Sequence, residues 1–160
     1  MGESLNWQER IDAVWNDSEA SADEVIARIT ELVSELPADD PRGPFELGGA
    51  YDSAGFEAEA AGHYARAVEL GLSGSARAEL DIQYASTLRN LGRADEAVAM
   101  LRDSQRDPAL GASPEAFLAL ALHSSGKPDD ALAVALEALI PFLPRYERSL
   151  RGYVSELRTN

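Results

Sequence analysis

The chain has 160 residues, 45% of them apolar, and no cysteine, which is enough for one ordinary core and excludes disulfide staples, thiolate zinc sites and a thiol nucleophile. A formal charge of -14 argues against nucleic acid as a partner, because that affinity comes from Lys and Arg displacing counterions from phosphates. No apolar run approaches the roughly 20 residues of a membrane-spanning helix, so no membrane partner is expected, and the cysteine-free composition fits a cytoplasmic location.

Residues 1–17 carry Glu3, Glu9 and Asp12 and lack the basic segment and apolar block of a secretory signal. Asn6 stands where a myristoylation pattern at Gly2 would need Ser or Thr. Trp7, Ile11, Val14 and Trp15 fall at helical spacing, and Val25, Ile29, Leu32, Val33 and Leu36 make a second apolar stripe. Ser21 followed by Glu24 predicts a capping box at the start of that second helix. Residues 1–36 thus read as an N-terminal helical hairpin. Pro37, Pro41 and Pro44 make residues 37–44 a connection.

From residue 41 onward the chain repeats itself. Gly55, Gly92 and Gly126 each end an apolar helical stretch and precede an Ala-rich one, at separations of 37 and 34 residues. A helix-turn-helix repeat of about 34 residues has this period. The loop Gly71-Leu72-Ser73-Gly74-Ser75 is the expected place for the three extra residues of the longer interval. The packing positions recur at the same offsets. Before the turn they bring together Leu47, Tyr84 and Leu118, then Gly48, Ala85 and Ala119, then Tyr51, Leu88 and Leu122. After it come Ala60, Ala97 and Ala131, then Tyr64, Leu101 and Ala135, then Ala67, Ser104 and Ala138. Small residues suit places where paired helices approach within about 8–10 Å, and large ones fill the gap between pairs.

This pattern resembles the tetratricopeptide signature of Leu-Gly, Tyr, Ala, an aromatic or Leu, and Ala. The position of its Trp holds Pro44, Asp81 and Glu115, and Pro108 and Pro144 lie one place from its closing Pro. The segments Ala50-Tyr51-Asp52-Ser53-Ala54-Gly55, Leu88-Arg89-Asn90-Leu91-Gly92-Arg93, Phe117-Leu118-Ala119-Leu120-Ala121-Leu122 and Leu143-Pro144-Arg145-Tyr146-Glu147-Arg148-Ser149 are similar to the small bacterial family called tetratricopeptide repeat group 5. The resemblance spans roughly residues 40–155. It implies a stand-alone helical repeat domain, dimeric, with a role in protein interaction and with no catalytic residues or cofactor. The expected architecture is all-α: an α-α superhelix of about three helical hairpins (residues 41–74, 78–111 and 112–144), preceded by the N-terminal helix pair. Residues 145–160 form a capping helix in which Tyr146, Leu150, Tyr153, Val154 and Leu157 make the apolar face.

Nothing in the chain assembles a reaction centre. Neither His63 nor His123 stands in a metal-binding or nucleophile-base spacing, and both read as structural or surface residues. The pairs Asp39-Asp40 and Asp129-Asp130 sit at helix starts, where carboxylates satisfy unpaired amides. Gly126-Lys127 lacks the rest of a phosphate loop. The chain is therefore read as a non-enzyme with no metal and no cofactor.

A partner, either a protein or a peptide, is expected on the inner wall made by the first helix of each repeat. That wall comprises Arg42, Phe45, Gly49, Asp52, Glu79, Ile82, Ser86, Arg89, Asn90, Ala116, Leu120 and His123. Arg42, Arg89 and Asn90 are an incomplete set for clamping a terminal carboxylate. Phe45, Ile82 and Leu120 would form an apolar stripe that something covers, either a ligand, the helices carrying Trp7 and Trp15, or a second chain. The alternative to an interaction module is an architectural homodimer whose groove is permanently filled. Charge is uneven as well. Residues 1–40 hold eleven acids against Arg10 and Arg28, whereas residues 145–160 hold four arginines against Glu147 and Glu156. These charges read first as solvated helix faces, since exposed pairs contribute little.

Overall fold

The computed structural model describes residues 6–159; Gly2 and Glu3 lie outside them. The described residues are all-α, with no strand. The chain falls into two compact units, divided between Ser73 and Gly74.

The first unit holds α1 (Trp7–Trp15), α2 (Ala22–Val33), α3 (Arg42–Ser53) and α4 (Glu57–Glu69). Helix α2 opens with the expected box, Ser21 accepting from the Glu24 amide while Glu24 accepts from the Ser21 amide. Asn6 and Glu9 build the same device on α1; the Asn-x-x-Glu spacing carried that signal. Ile11, Val14, Ile29 and Ala50 form a core with Trp7, Leu32, Val33 and Leu47 packed on it, so α1 and α2 share their interior with α3. Fully burying each such aliphatic side chain stabilises the unit by about 1.5–3 kcal/mol before entropy is subtracted. Helix α3 begins at Arg42, which places Pro44 in its first turn rather than in the connection. A missing amide hydrogen costs nothing there, because first-turn amides have no partner inside the helix.

The second unit holds α5 (Gly74–Asn90), α6 (Ala94–Asp103), α7 (Ser113–Ser124), α8 (Pro128–Leu139) and α9 (Glu147–Leu157), with single 3-10 turns at Pro108–Leu110 and Ile140–Phe142. Its core gathers Ala85, Leu88, Ala97, Val98, Leu101, Ala121, Leu122 and Ala131. Helix α7 packs on both α5 and α6, and α9 packs on α8. The longer repeat interval is carried by helix rather than by the expected loop: Gly74 and Ser75 open α5, which spans 17 residues where α3 and α7 span 12.

The repeat is visible in the backbone. The amide of Phe56 donates to the Tyr51 carbonyl, that of Arg93 to Leu88, and that of Lys127 to Leu122, at 2.8–2.9 Å. Each is the six-residue closure of a helix ending in a left-handed residue, and the glycines at that place, Gly55, Gly92 and Gly126, have φ of 81°, 78° and 76°. An L side chain at such a φ is strained, so glycine recurs. The amides of Ala60, Ala97 and Ala131 then donate to the carbonyls of Phe56, Arg93 and Lys127 and start the second helices. Ala60 and Ala97 are 0% exposed and Ala131 6%, as positions between touching helices must be.

Two expectations about side chains change. In the third repeat, Ala135 is exposed where Tyr64 and Leu101 are buried, so that position is not filled by bulk there. In α9 only Leu150, Val154 and Leu157 turn inward, whereas Tyr146 and Tyr153 are exposed. Positions 150, 154 and 157 share one helical face, and residue 146 precedes the helix in a left-handed conformation with φ 68°.

Candidate protein-binding surfaces

In the first unit the surface of α3 is divided three ways. Gly43, Leu47 and Ala50 meet α2 and the core beneath it, and Gly48 meets the Tyr64 ring on α4. Phe45, Gly49 and Asp52 lie on the remaining face, nearly half a turn from Leu47 and Ala50 at about 100° per residue. All three are half-buried. Asp52 is committed, since the Tyr64 hydroxyl hydrogen-bonds to it. Burial, the fields of Asp52 and Glu46, and that bond hold the phenol well above its ordinary pKa. Arg42 is committed too. Its guanidinium binds Asp40 at 2.6 Å and lies 5.0 Å above the Trp7 ring centre, so it serves the packing of α1 against α3. Trp15 adds a second tie, donating from Nε1 to the buried Glu46 at 2.8 Å.

His63 stacks on Tyr51 with ring centres 5.1 Å apart, and burial pushes its pKa below the ordinary value. A neutral ring stacked on a neighbour is a packing element. Asp40 accepts from the Arg42 amide, and Asp129 and Asp130 lie in the first turn of α8, in keeping with carboxylates at helix starts.

In the second unit α5 and α7 lie side by side, and Arg89 donates to Ser124 across them at 3.3 Å. Glu79, Asn90, Ala116, Leu120 and His123 are exposed, and Ser86 and Arg89 half-buried. Ile82 is 8% exposed and belongs to the core, so it is not part of an open apolar stripe. The wheel explains this, because residue 82 shares its face with Ala78 and Ala85, which are buried. Leu120, 49% exposed, is the one large apolar side chain of the expected wall that stands open to solvent.

A cleft of about 610 Å³ opens on a different face of α7, lined by Glu115, Leu118 and Leu122 of α7 with Arg102 of α6, residues of α8, and Arg158 just past the end of α9. Its lining was not foreseen. It comes from several successive helices and the connections between them, and the repeat pattern marks only the contacts that close, not the gaps that stay open. Among the described residues no group of three or more His, Cys, Asp or Glu is placed to hold a metal ion, and no helix is long and apolar enough to cross a membrane.

The family model of the tetratrico peptide repeat matches residues 41–157. The chain belongs to the tetratricopeptide repeat family. The match covers most of the chain and includes α3 to α9. No curated protein matches this tetratricopeptide chain. Tetratricopeptide repeats generally serve as scaffolds for protein interaction, and membership of the family points to that general role.

Proposed function

We propose that this tetratricopeptide chain is a non-catalytic module that holds a peptide or protein surface against the outward faces of its first helices. The supporting observation is the face of α7 where Ala116, Leu120 and His123 are exposed together. Half of the Leu120 surface stays open to solvent on that face, and the stacked helices of repeat proteins supply the surfaces on which partners are held. Polar Asn90 and half-buried Ser86 and Arg89 on the adjacent α5 supply hydrogen-bonding capacity beside it. Self-association belongs to the same reading, with Leu132 and Leu139 of α8 and Tyr153 of α9 as the exposed apolar side chains available for it.

The test is affinity capture with the immobilised full chain, with identification of the bound proteins, and light scattering of the free chain. Capture abolished by Leu120→Glu, with an unchanged melting curve, is the expected result. Capture indifferent to that substitution removes α7 from the proposal, and a monomer that captures nothing overturns it.

A further inference from the structure

The cleft in the second unit has a lining that selects a ligand. Its floor is apolar, made by Leu118 and Leu122 of α7 with Val134 and Ala138 of α8. Phe142, on its edge, is 73% exposed. An aromatic ring beside an apolar floor is the composition of an anchoring pocket at a protein interface.

The polar groups around the floor are not equivalent. Arg106 is ion-paired with Glu115, and Arg158 with Glu137 at 2.6 Å, where it also feels the field of Asp130. Arg102 lines the same cleft and has no ion pair or hydrogen bond among the described residues. Glu115 gives one oxygen to Arg106, while its Oε2 is buried with no hydrogen-bond partner. The cleft therefore presents one cationic donor without a partner, Arg102, together with an apolar floor.

We propose that this cleft binds an acidic-apolar peptide segment of a partner protein. A large apolar side chain of the segment lies on Leu118, Leu122 and Val134 beneath Phe142. A neighbouring Asp or Glu binds Arg102 in the two-toothed manner of guanidinium and carboxylate. A nucleic acid does not fit, because a phosphate chain requires a run of cations, whereas of the three lining arginines two are ion-paired and Arg102 alone is left for a single carboxylate. The inference rests on the reading of the chain as a protein-interaction module and names a surface other than the face of Ala116, Leu120 and His123.

The experiment titrates the full-length, isotope-labelled chain with two acetylated and amidated octapeptides, each with a central Leu-Phe, one flanked by glutamates and the other by lysines. The glutamate peptide is expected to shift the amides of Leu118, Leu122 and Val134 with a dissociation constant of about 10–1,000 μM. Arg102→Glu should weaken it at least about tenfold and Arg102→Gln by less, each with an unchanged melting curve, since that side chain is exposed and unpaired. Four results overturn the proposal: the lysine peptide binding as well, no cleft shift up to about 2 mM peptide, affinity indifferent to Arg102→Glu, or cleft amides moving with protein concentration alone. The last would give the cleft to a second copy. Shifts confined to the face of Leu120 would sink the cleft while leaving the interaction module standing.

Discussion

A methyl group at Gly48 would stand 2.5 Å from two carbons of the Tyr64 ring. Helices α3 and α4 therefore touch through a bare backbone on one side and a fully buried aromatic on the other. The equivalent positions, Ala85 and Ala119, tolerate a methyl because Leu101 and Ala135 stand in place of the tyrosine. Gly48→Ala should cost about 1–3 kcal/mol by overpacking, and Tyr64→Ala about 3–5 kcal/mol by leaving a cavity. The double variant should be less destabilised than the sum, because the clash disappears with the ring. Urea unfolding of the four proteins checks this, and strict additivity would deny the contact.

Ala97 is 0% exposed between α5 and α6, and its neighbourhood includes Leu88 and Leu101. Ala97→Leu adds three carbons where the helices have no slack, and should lower stability by about 1–3 kcal/mol. A thermal melt of the variant that matches the parent would show that the second hairpin is looser than its packing implies.

Trp15 donates to Glu46, whose side chain is buried. Trp15→Phe keeps most of the ring and removes this donor from a carboxylate shielded from water, so about 1–3 kcal/mol should be lost. Trp15→Phe combined with Glu46→Leu should recover part of that loss, because an apolar side chain needs no donor. Equilibrium unfolding followed by far-ultraviolet dichroism measures both.

Acid should loosen the first unit. Asp17 is held below its ordinary pKa by the Arg28 hydrogen bond, Glu24 by the bonds from Ser21, and Glu35 and Asp40 by those from Arg10 and Arg42. Each depressed group contributes stability that is present above its unfolded value, 3.8 for Asp and 4.5 for Glu, and is lost as pH falls through the lower folded value. Asp81 in the second unit has the opposite sense. Burial raises its pKa against the pull of Arg77, so its contribution is present below the unfolded value and lost as pH rises through the folded one. Both tryptophans lie in α1, so their fluorescence reports the first unit alone. It should change below about pH 4; a signal flat down to about pH 2 would contradict the pairing of these carboxylates.

The turn at Gly92 has φ 78° and its neighbour Arg93 closes the helix end on Leu88 at 2.8 Å. Gly92→Ala should cost about 1–2 kcal/mol, the strain of an L residue in the left-handed region. A control at Gly62, which lies within α4 with open space around its Cβ position, should instead gain about 0.5–1 kcal/mol in Gly62→Ala. Parallel melts of the two variants should therefore move in opposite directions.

The repeated glycines, the small residues at 60, 97 and 131, and the Ser21 capping box could all be read from the chain, because each depends on a few neighbours in sequence and on a fixed helical period. At Ile82 two sequence readings disagree: the repeat offsets put it on the open wall, while its spacing to Ala78 and Ala85 puts it on the buried face that it occupies. The sequence offered Gly71–Ser75 as a loop for the longer interval, and α5 begins inside it at Gly74, since no proline or left-handed residue lies between Ser75 and Asn90 to stop a helix there. Arg42 offered an open charge in the sequence, and the fold tied it to Asp40 and Trp7.

Local chemistry settled the all-helical character, the hairpin turns and the closeness of the paired helices, because backbone strain and side-chain volume act over distances that sequence spacing encodes. Tertiary packing decided which residues of each helix remain open, including Leu120, Phe142 and Arg102. Exposure depends on how close non-adjacent helices come, and that distance is set by the sum of contacts across a core rather than by any single segment.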